Sequence, residues 1–231
     1  AMHVRMHGWS KGEFGKSRGT VMLHLRELFD DTLAYKANKA AFDRRQVRKL
    51  KVSRLDLDAM VRVLDGKLPL VVHVDRASDI LNVLRFATSH KDLKLVLASA
   101  AEGWKVAKAI ASAKVPVIVF PLDHGPRTFA ALGAREDNAA RLHRAGVTLA
   151  LSTGRSHHAR KLRQAAGNAV RAGLPHAVAL AAVTHHPATI FGMDASYGSP
   201  KTGRVANLVV WSADPFEIST RAERVLIRGQ S

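Results

Sequence analysis

Cysteine is absent from all 231 residues, which removes disulfides, thiolate nucleophiles and zinc–sulfur sites together and leaves His, Asp and Glu to hold any metal. Acidic side chains are scarce as well. Nineteen Asp+Glu face 36 Lys+Arg, a formal charge of +17 before any of the 12 histidines is counted. Aromatics make up 6% of the chain, too few for the stacking platforms of single-strand nucleic-acid binders. No run approaches the ~18 uninterrupted apolar residues of a membrane helix, and residues 1–20 lack the apolar stretch of a signal peptide. The expectation is a soluble chain with no membrane partner. Ala1 ahead of Met2 reads as an expression remnant.

What is present is an ordinary globular composition, 47% apolar and 24% charged, which excludes a disordered basic tail. Over residues 17–48, Val21, Leu25, Leu28, Leu33 and Ala37 recur at mostly helical spacing, predicting one long helix with a break near Asp30. Residues 36–54 hold eight basic side chains (Lys36, Lys39, Arg44, Arg45, Arg48, Lys49, Lys51, Arg54) and a single acid, Asp43. A short helix over 55–64 follows, with Ser53 as its cap.

The pattern then changes to short apolar runs at 68–74, 93–98, 115–122 and 147–152. Helical stretches at 78–88, 102–113 and 135–145 separate them, and further helices are expected at 158–172 and 175–191. Runs of continuous Val, Ile and Leu, without alternation, are the mark of strands buried on both faces of a parallel sheet. The last forty residues carry glycine-punctuated strand-like runs at 207–211 and 224–227, a small β appendage. The predicted fold class is α/β: a partial (β/α)₈ barrel of four parallel βα units, with a small C-terminal β element. Domain boundaries are expected at 1–19 (tag or irregular segment), 20–193 (partial barrel with leading helices) and 194–231. Four parallel strands leave two apolar edges bare, so the chain is expected to associate, either as a homo-oligomer or with a complementary N-terminal half.

Several segments resemble the C-terminal half of imidazolonepropionase-like amidohydrolases, a branch of the metal-dependent amidohydrolase superfamily. They are Leu-Pro-Leu-Val-Val-His-Val-Asp at 68–75, Glu-Gly-Trp-Lys-Val-Ala at 102–107, Asp-Asn-Ala-Ala-Arg-Leu-His-Arg-Ala-Gly-Val at 137–147, and Thr-His-His-Pro-Ala-Thr-Ile-Phe-Gly at 184–192. Gly-Arg-Val-Ala-Asn-Leu-Val-Val-Trp at 203–211 completes the set. The resemblance covers nearly everything from residue 18 onward. It implies barrel strands five to eight, followed by the C-terminal portion of a β-sandwich, and zinc or another divalent metal activating water against an amide or cyclic amide. Strands one to four, with a His-x-His pair after strand one, would be missing.

His73 matches the strand-five metal histidine of that family; taken alone it is equally a histidine bonded to backbone at a strand end. The next strand should deliver a second histidine, and Ser99 stands there instead, a poor ligand for a divalent metal. Glu102 suits an acid, a base or a ligand, against the alternative of a first-turn glutamate favoured by the helix dipole. The eighth strand should end in an aspartate that holds metal and takes a proton from water. The sequence there is Leu-Ser-Thr-Gly-Arg at 151–155, and no Asp or Glu occurs between Asp137 and Asp194. Arg155 stands about where the carboxylate belongs, and its charge suits an anion. His124, in Asp-His-Gly-Pro at 123–126, is placed on a loop above the site, for substrate contact or for the turn itself. The pairs His157-His158 and His185-His186 are poor chelates, since adjacent helical residues point ~100° apart. Asn207 replaces the aspartate usual in the family's sandwich run.

Three readings follow. The first is a hydrolase acting on a C–N bond of a small-molecule amide, truncated or degenerate and inactive as an isolated chain, with His73 as surviving metal ligand and Glu102, Arg155 and His124 as catalytic candidates. The second is a metal-free scaffold or subunit. The third is non-specific polyanion or nucleic-acid binding through the 36–54 cluster, which lacks any zinc-finger, RNP or phosphate-loop signature.

Overall fold

A computed structural model describes residues 1–6, 17–123, 125–126 and 128–231. The fold is α/β with a five-stranded parallel sheet, and the chain divides into two compact units, Ala1–His73 with Asn82–Leu95, and Val74–Leu81 with Val96–Ser231.

In the first unit β1 (Met2–Arg5) runs parallel to β2 (Leu70–Val74), with Val4 opposite Val72 and Arg5 opposite His73. This corrects the assignment of residues 1–19 to an irregular segment: its first residues form a strand. Leu70, Val71, Val72 and Val74 are fully buried, as the unbroken apolar run predicted. Helix α1 (Arg18–Ala37) is capped by the Ser17 hydroxyl, which accepts from Thr20 N–H at 3.1 Å. The helix stops at Asn38 rather than near Asp30. The Asn38 amide reaches back to the Ala34 carbonyl at 3.2 Å, competing with helix propagation, and a short α2 (Lys39–Asp43) restarts beyond it. At α3 (Arg54–Leu64), Ser53 and Asp56 form a reciprocal capping box. Tyr35 from α1 meets Leu57 of α3 and Leu50 of the connection in an apolar cluster. The Tyr35 hydroxyl leaves that cluster to donate to Asp58 at 2.8 Å.

Helix α4 (Ala77–Thr88) follows β2. Phe86 and His90 close on Phe29 with ring centroids 4.8 Å away in each case. Gly66, just past α3, has φ +65°, and a Cβ there would sit 2.4 Å from the Asp92 carbonyl, so glycine is required twice over.

In the second unit β3 (Leu95–Ser99), β4 (Val117–Val119) and β5 (Leu149–Leu151) pair in parallel, with Val117 opposite both Leu97 and Leu149. The expected helices are present but shorter. A 3₁₀ turn (Gly103–Val106) leads into α5 (Ala107–Ser112), α6 is Asn138–Arg144, and a second 3₁₀ stretch (Ser156–Lys161) leads into α7 (Leu162–Arg171). The single helix expected over 175–191 is two, α8 (His176–Val183) and α9 (His185–Ile190), broken at Thr184. Pro187 explains the break, because it has no N–H and its ring would clash with the carbonyl of Val183. The C-terminal residues form an antiparallel ribbon of β6 (Leu208–Trp211) and β7 (Ala222–Leu226). No helix among the described residues is long and apolar enough to cross a membrane.

Candidate functional site

Active sites of β/α barrels form at the carboxyl ends of the parallel strands. Two polar clusters stand at such ends here, one in each unit.

In the first unit, parallel pairing puts His3 opposite Val71, two residues before His73, so the two histidines share a face. His3 Nδ1 lies 3.0 Å from His73 Nε2, with ring centroids 5.3 Å apart. One ring donates and the other accepts, so a single N–H occupies the gap between them. Burial, reinforced by the positive charges of the chain's amino group and Arg5, lowers the His3 pKa and favours the neutral ring. Sequence reasoning missed His3. The only available signal was the alternation Met-His-Val-Arg, four residues long and followed by Met6.

In the second unit, β3 ends on Ser99, and two consecutive non-glycine residues take positive φ, Ser99 at 70° and Ala100 at 48°. Each such residue costs about 1 kcal/mol and persists only where its surroundings over-determine it. They do so here. The Ser99 hydroxyl donates to Asp75 Oδ1 at 2.5 Å and Ala101 N–H adds a bond to the same oxygen at 3.3 Å. Ala100 N–H reaches the Val74 carbonyl at 2.9 Å, and buried Asn138 clamps the turn by donating to the Ala100 carbonyl while accepting from Trp104 N–H. Ser99 therefore completes a hydrogen-bonded turn with Asp75, the residue that strand alternation puts on the same face as His73.

Glu102 belongs to the same turn. Its Oε2 accepts from Ala77 N–H at 3.1 Å and its Oε1 from the Lys105 ammonium at 2.7 Å. Burial pushes its pKa up, but Lys105, Ala77 N–H and Gly133 N–H outweigh burial and hold the carboxyl below its usual value. An ionised carboxylate with both oxygens occupied is an anchor, and is poorly placed to donate a proton. Depressed folded-state acidity also sets a sign: the stabilisation is present above the unfolded value of about 4.5 and is lost as pH falls through the lower folded value. Glu102→Gln is accordingly expected to cost ~1 kcal/mol at pH 7 and to flatten the loss of stability below pH 4.5. Urea midpoints measured from pH 7 down to pH 3 read both effects, and an unchanged acid limb would count against the anchor.

Arg155 is exposed beyond β5, where its carbonyl accepts from the Thr153 hydroxyl at 3.1 Å and from His158 N–H at 3.0 Å. No carboxylate lies within ion-pair distance of its guanidinium among the described residues. The His158 pKa is lowered, by burial first and then by His157, Lys161, Arg155 and Arg160, so cations crowd this end of β5 without neutralisation. His186 is tied by Nδ1 to the Leu149 carbonyl at 2.8 Å, and His185 Nδ1 is buried without a hydrogen-bond partner among the described residues. His124 lies outside the described residues.

The basic stretch at 36–54 is largely neutralised by acids distant in sequence. Lys36 pairs with Asp65 at 2.6 Å, Lys39 with Asp58 at 2.8 Å, Arg48 with Asp31 at 2.5 Å and Lys51 with Glu27 at 2.7 Å. Arg54 lies 3.6 Å from Asp43.

No group of three or more His, Asp or Glu side chains capable of holding a metal is found among the described residues. His73 and His3 supply two imidazoles, Ser99 is committed to Asp75, and the residues after β5 supply no carboxylate. Catalytic zinc takes three protein ligands, so these residues fall short of a complete centre.

Residues 21–230 match the amidohydrolase family. The chain belongs to that family. Among solved structures, an amidohydrolase from Thermotoga maritima MSB8 is 29% identical with a TM-score of 0.82, over 93% of this chain and 56% of that one. An adenosine deaminase from Xanthomonas campestris with bound zinc shares the fold, at 17% identity and a TM-score of 0.52, over 99% of this chain and 59% of that one. Among curated proteins, the amidohydrolase tasK of Hapsidospora irregularis is 42% identical over 57 residues, 25% of this chain and 6% of that protein. The chain thus spans little more than half the length of the amidohydrolase structures it matches. The β1–β2 pairing adds a detail to the expected correspondence. If β2 is the fifth barrel strand, β1 stands in the place of the fourth, one strand more than the sequence reading allowed.

Proposed function

We propose that the chain is a hydrolytic module of the amidohydrolase type, acting on a C–N bond of an amide or cyclic amide, and that it turns substrate over only when residues from outside this chain join its site. The family match across residues 21–230, on a chain little more than half as long as its structural relatives, is the observation that carries the reading. Those outside residues come from a second copy or from a complementary N-terminal half. The amidohydrolase family supports divalent-metal chemistry in general, and the described residues bring two imidazoles together without a third ligand.

The chain's own residues suggest a division of labour. The His3–His73 pair, with His3 kept neutral by burial, holds or relays one proton between Nδ1 and Nε2. Arg155, free of any carboxylate among the described residues, receives an anionic group of substrate. Within the second unit, Asp75 and Ser99 shape the turn at the end of β3, and Glu102 anchors it.

The test is hydrolysis of a panel of linear and cyclic amides by the purified chain, alone and mixed with a separately produced N-terminal half of a related amidohydrolase, with metal content measured in parallel. The reading expects turnover only in the mixture, falling at least about tenfold in His73→Ala with circular dichroism unchanged, in the range of losing one acid–base group. A specific observation favours a second reading, a metal-free scaffold: serine and arginine stand where ligands are expected. Absence of turnover in every mixture, with no bound metal, would select it.

A further inference from the structure

On the second unit a cavity of about 820 Å³ opens between the 3₁₀–α5 segment and α6. Its floor is small and apolar, Ala107, Ala109 and Ala145, and its walls are basic. One wall carries Lys105 and Lys108, the other Arg141 and Arg144, each pair three residues apart and so on one helical face. The cations are not equivalent. Lys105 is paired with Glu102 at 2.7 Å and Arg141 with Asp137 at 2.7 Å, leaving Lys108 and Arg144 with no carboxylate partner among the described residues. Arg144 uses only its Nε internally, towards the Ala140 carbonyl at 3.3 Å, so the outer edge of its guanidinium stays available. Trp104 closes one end, with Lys105, Arg135 and Arg141 at 5.6, 5.0 and 5.5 Å from its ring centroid.

We propose that this groove is a binding site for a small polyphosphate anion, gripped by Lys108 on one wall and Arg144 on the other. A planar guanidinium fork and an ammonium lining one groove both suit phosphate oxygens, and the alanines between them leave room for the anion. Two competing occupants fit less well. An extended acidic peptide needs backbone groups to pair with, and the walls are helices whose backbone bonds are closed within the helix. Single-stranded nucleic acid needs an open aromatic face, and the ring of Trp104 is already attended by three cations.

Calorimetric titration of the full chain at low salt tests the proposal, with inorganic tripolyphosphate and a nucleoside triphosphate as probes and Trp104 emission as a second readout. Sub-millimolar affinity for both probes is expected, at least tenfold weaker in Lys108→Gln/Arg144→Gln and partly restored in Lys108→Gln/Arg144→Lys. Similar affinities for the two probes are expected, because the phosphates alone are recognised, and a tenfold or greater preference for the nucleotide would move recognition to the base and overturn the assignment. A control double variant at the other basic stretch, Arg45→Gln/Lys49→Gln, is expected to change affinity less than twofold. Equal losses in the two double variants would reduce the site to net charge and overturn it. So would the absence of binding at millimolar probe, or tighter binding of a single-stranded oligonucleotide or an acidic peptide than of tripolyphosphate. All three double variants change exposed side chains, and unchanged thermal midpoints would confirm that loss of binding is not loss of fold.

Discussion

Asp75→Ala is expected to destabilise the chain by about 2–4 kcal/mol, far more than Ser99→Ala at the other end of the same hydrogen bond. The asymmetry comes from what each substitution strands. Asp75 is 8% exposed and takes both the Ser99 hydroxyl at 2.5 Å and Ala101 N–H at 3.3 Å, so its removal leaves two donors in a buried turn without an acceptor. Ser99→Ala removes one donor and leaves Asp75 its bond from Ala101, a loss of ~1 kcal/mol. The backbone amplifies the difference. Ser99 and Ala100 both sit at positive φ, and once Asp75 no longer holds the turn, nothing at Ser99 offsets that conformation. Ser99→Gly is informative for this reason: it gives up the hydroxyl but relieves a left-handed residue, and is expected to fall within about 1 kcal/mol of the parent. Urea denaturation of the three variants reads the order directly. If Asp75→Ala cost no more than Ser99→Ala, the turn would not depend on the carboxylate.

This turn marks the limit of what the sequence revealed. The unbroken apolar run at 70–74 announced a doubly buried parallel strand, because burial on both faces leaves no alternation to read. Ser53 announced a helix start, because an N-cap is local. Ser99 and Asp75 lie 24 residues apart and meet only in the folded turn, which no window along the chain displays. The charge pattern failed for the same reason. Residues 36–54 looked like a naked basic face, yet Asp31, Asp58 and Asp65, outside that window, return to pair with Arg48, Lys39 and Lys36. β1 escaped notice because four residues carry too little periodicity to stand out. The break at Thr184 has its local cause in Pro187, inside an alanine-rich run that otherwise favours one helix. Of the candidate site, His73 was found through the motif around it, and its partner His3 was not, since their proximity is a property of the β1–β2 register.

Arg163→Ala is expected to loosen the β6–β7 ribbon by about 2–4 kcal/mol while leaving β3, β4 and β5 protected. From α7 this one guanidinium donates to three carbonyls of the loop between the two strands. Nε reaches Pro215 at 2.5 Å, and the terminal nitrogen reaches Glu217 at 2.9 Å and Thr220 at 3.0 Å. Its plane also lies 4.3 Å from the Trp211 ring centroid, so one side chain grips both β6 and the loop that follows it. The ribbon has little else to hold it. Val209, Val210 and Val225 are more than 40% exposed, and a two-stranded hairpin is at best marginal alone. Other attachments include the His176–Asp214 pair at 2.9 Å, the His176–Phe216 ring contact at 4.9 Å and the close approach of Gly167 to the Phe216 carbonyl. None of these can supply donors to three carbonyls at once. Amide exchange at residues 208–226 should therefore accelerate by roughly 30- to 700-fold, the factor equivalent to 2–4 kcal/mol, with exchange in β3–β5 unchanged. Arg163→Lys should recover only part of the protection, because a single ammonium cannot reproduce the fork. Exchange that stayed slow throughout the ribbon in Arg163→Ala would mean that packing of Phe216 and Trp211, and not the guanidinium, fastens this element to the helices of its unit.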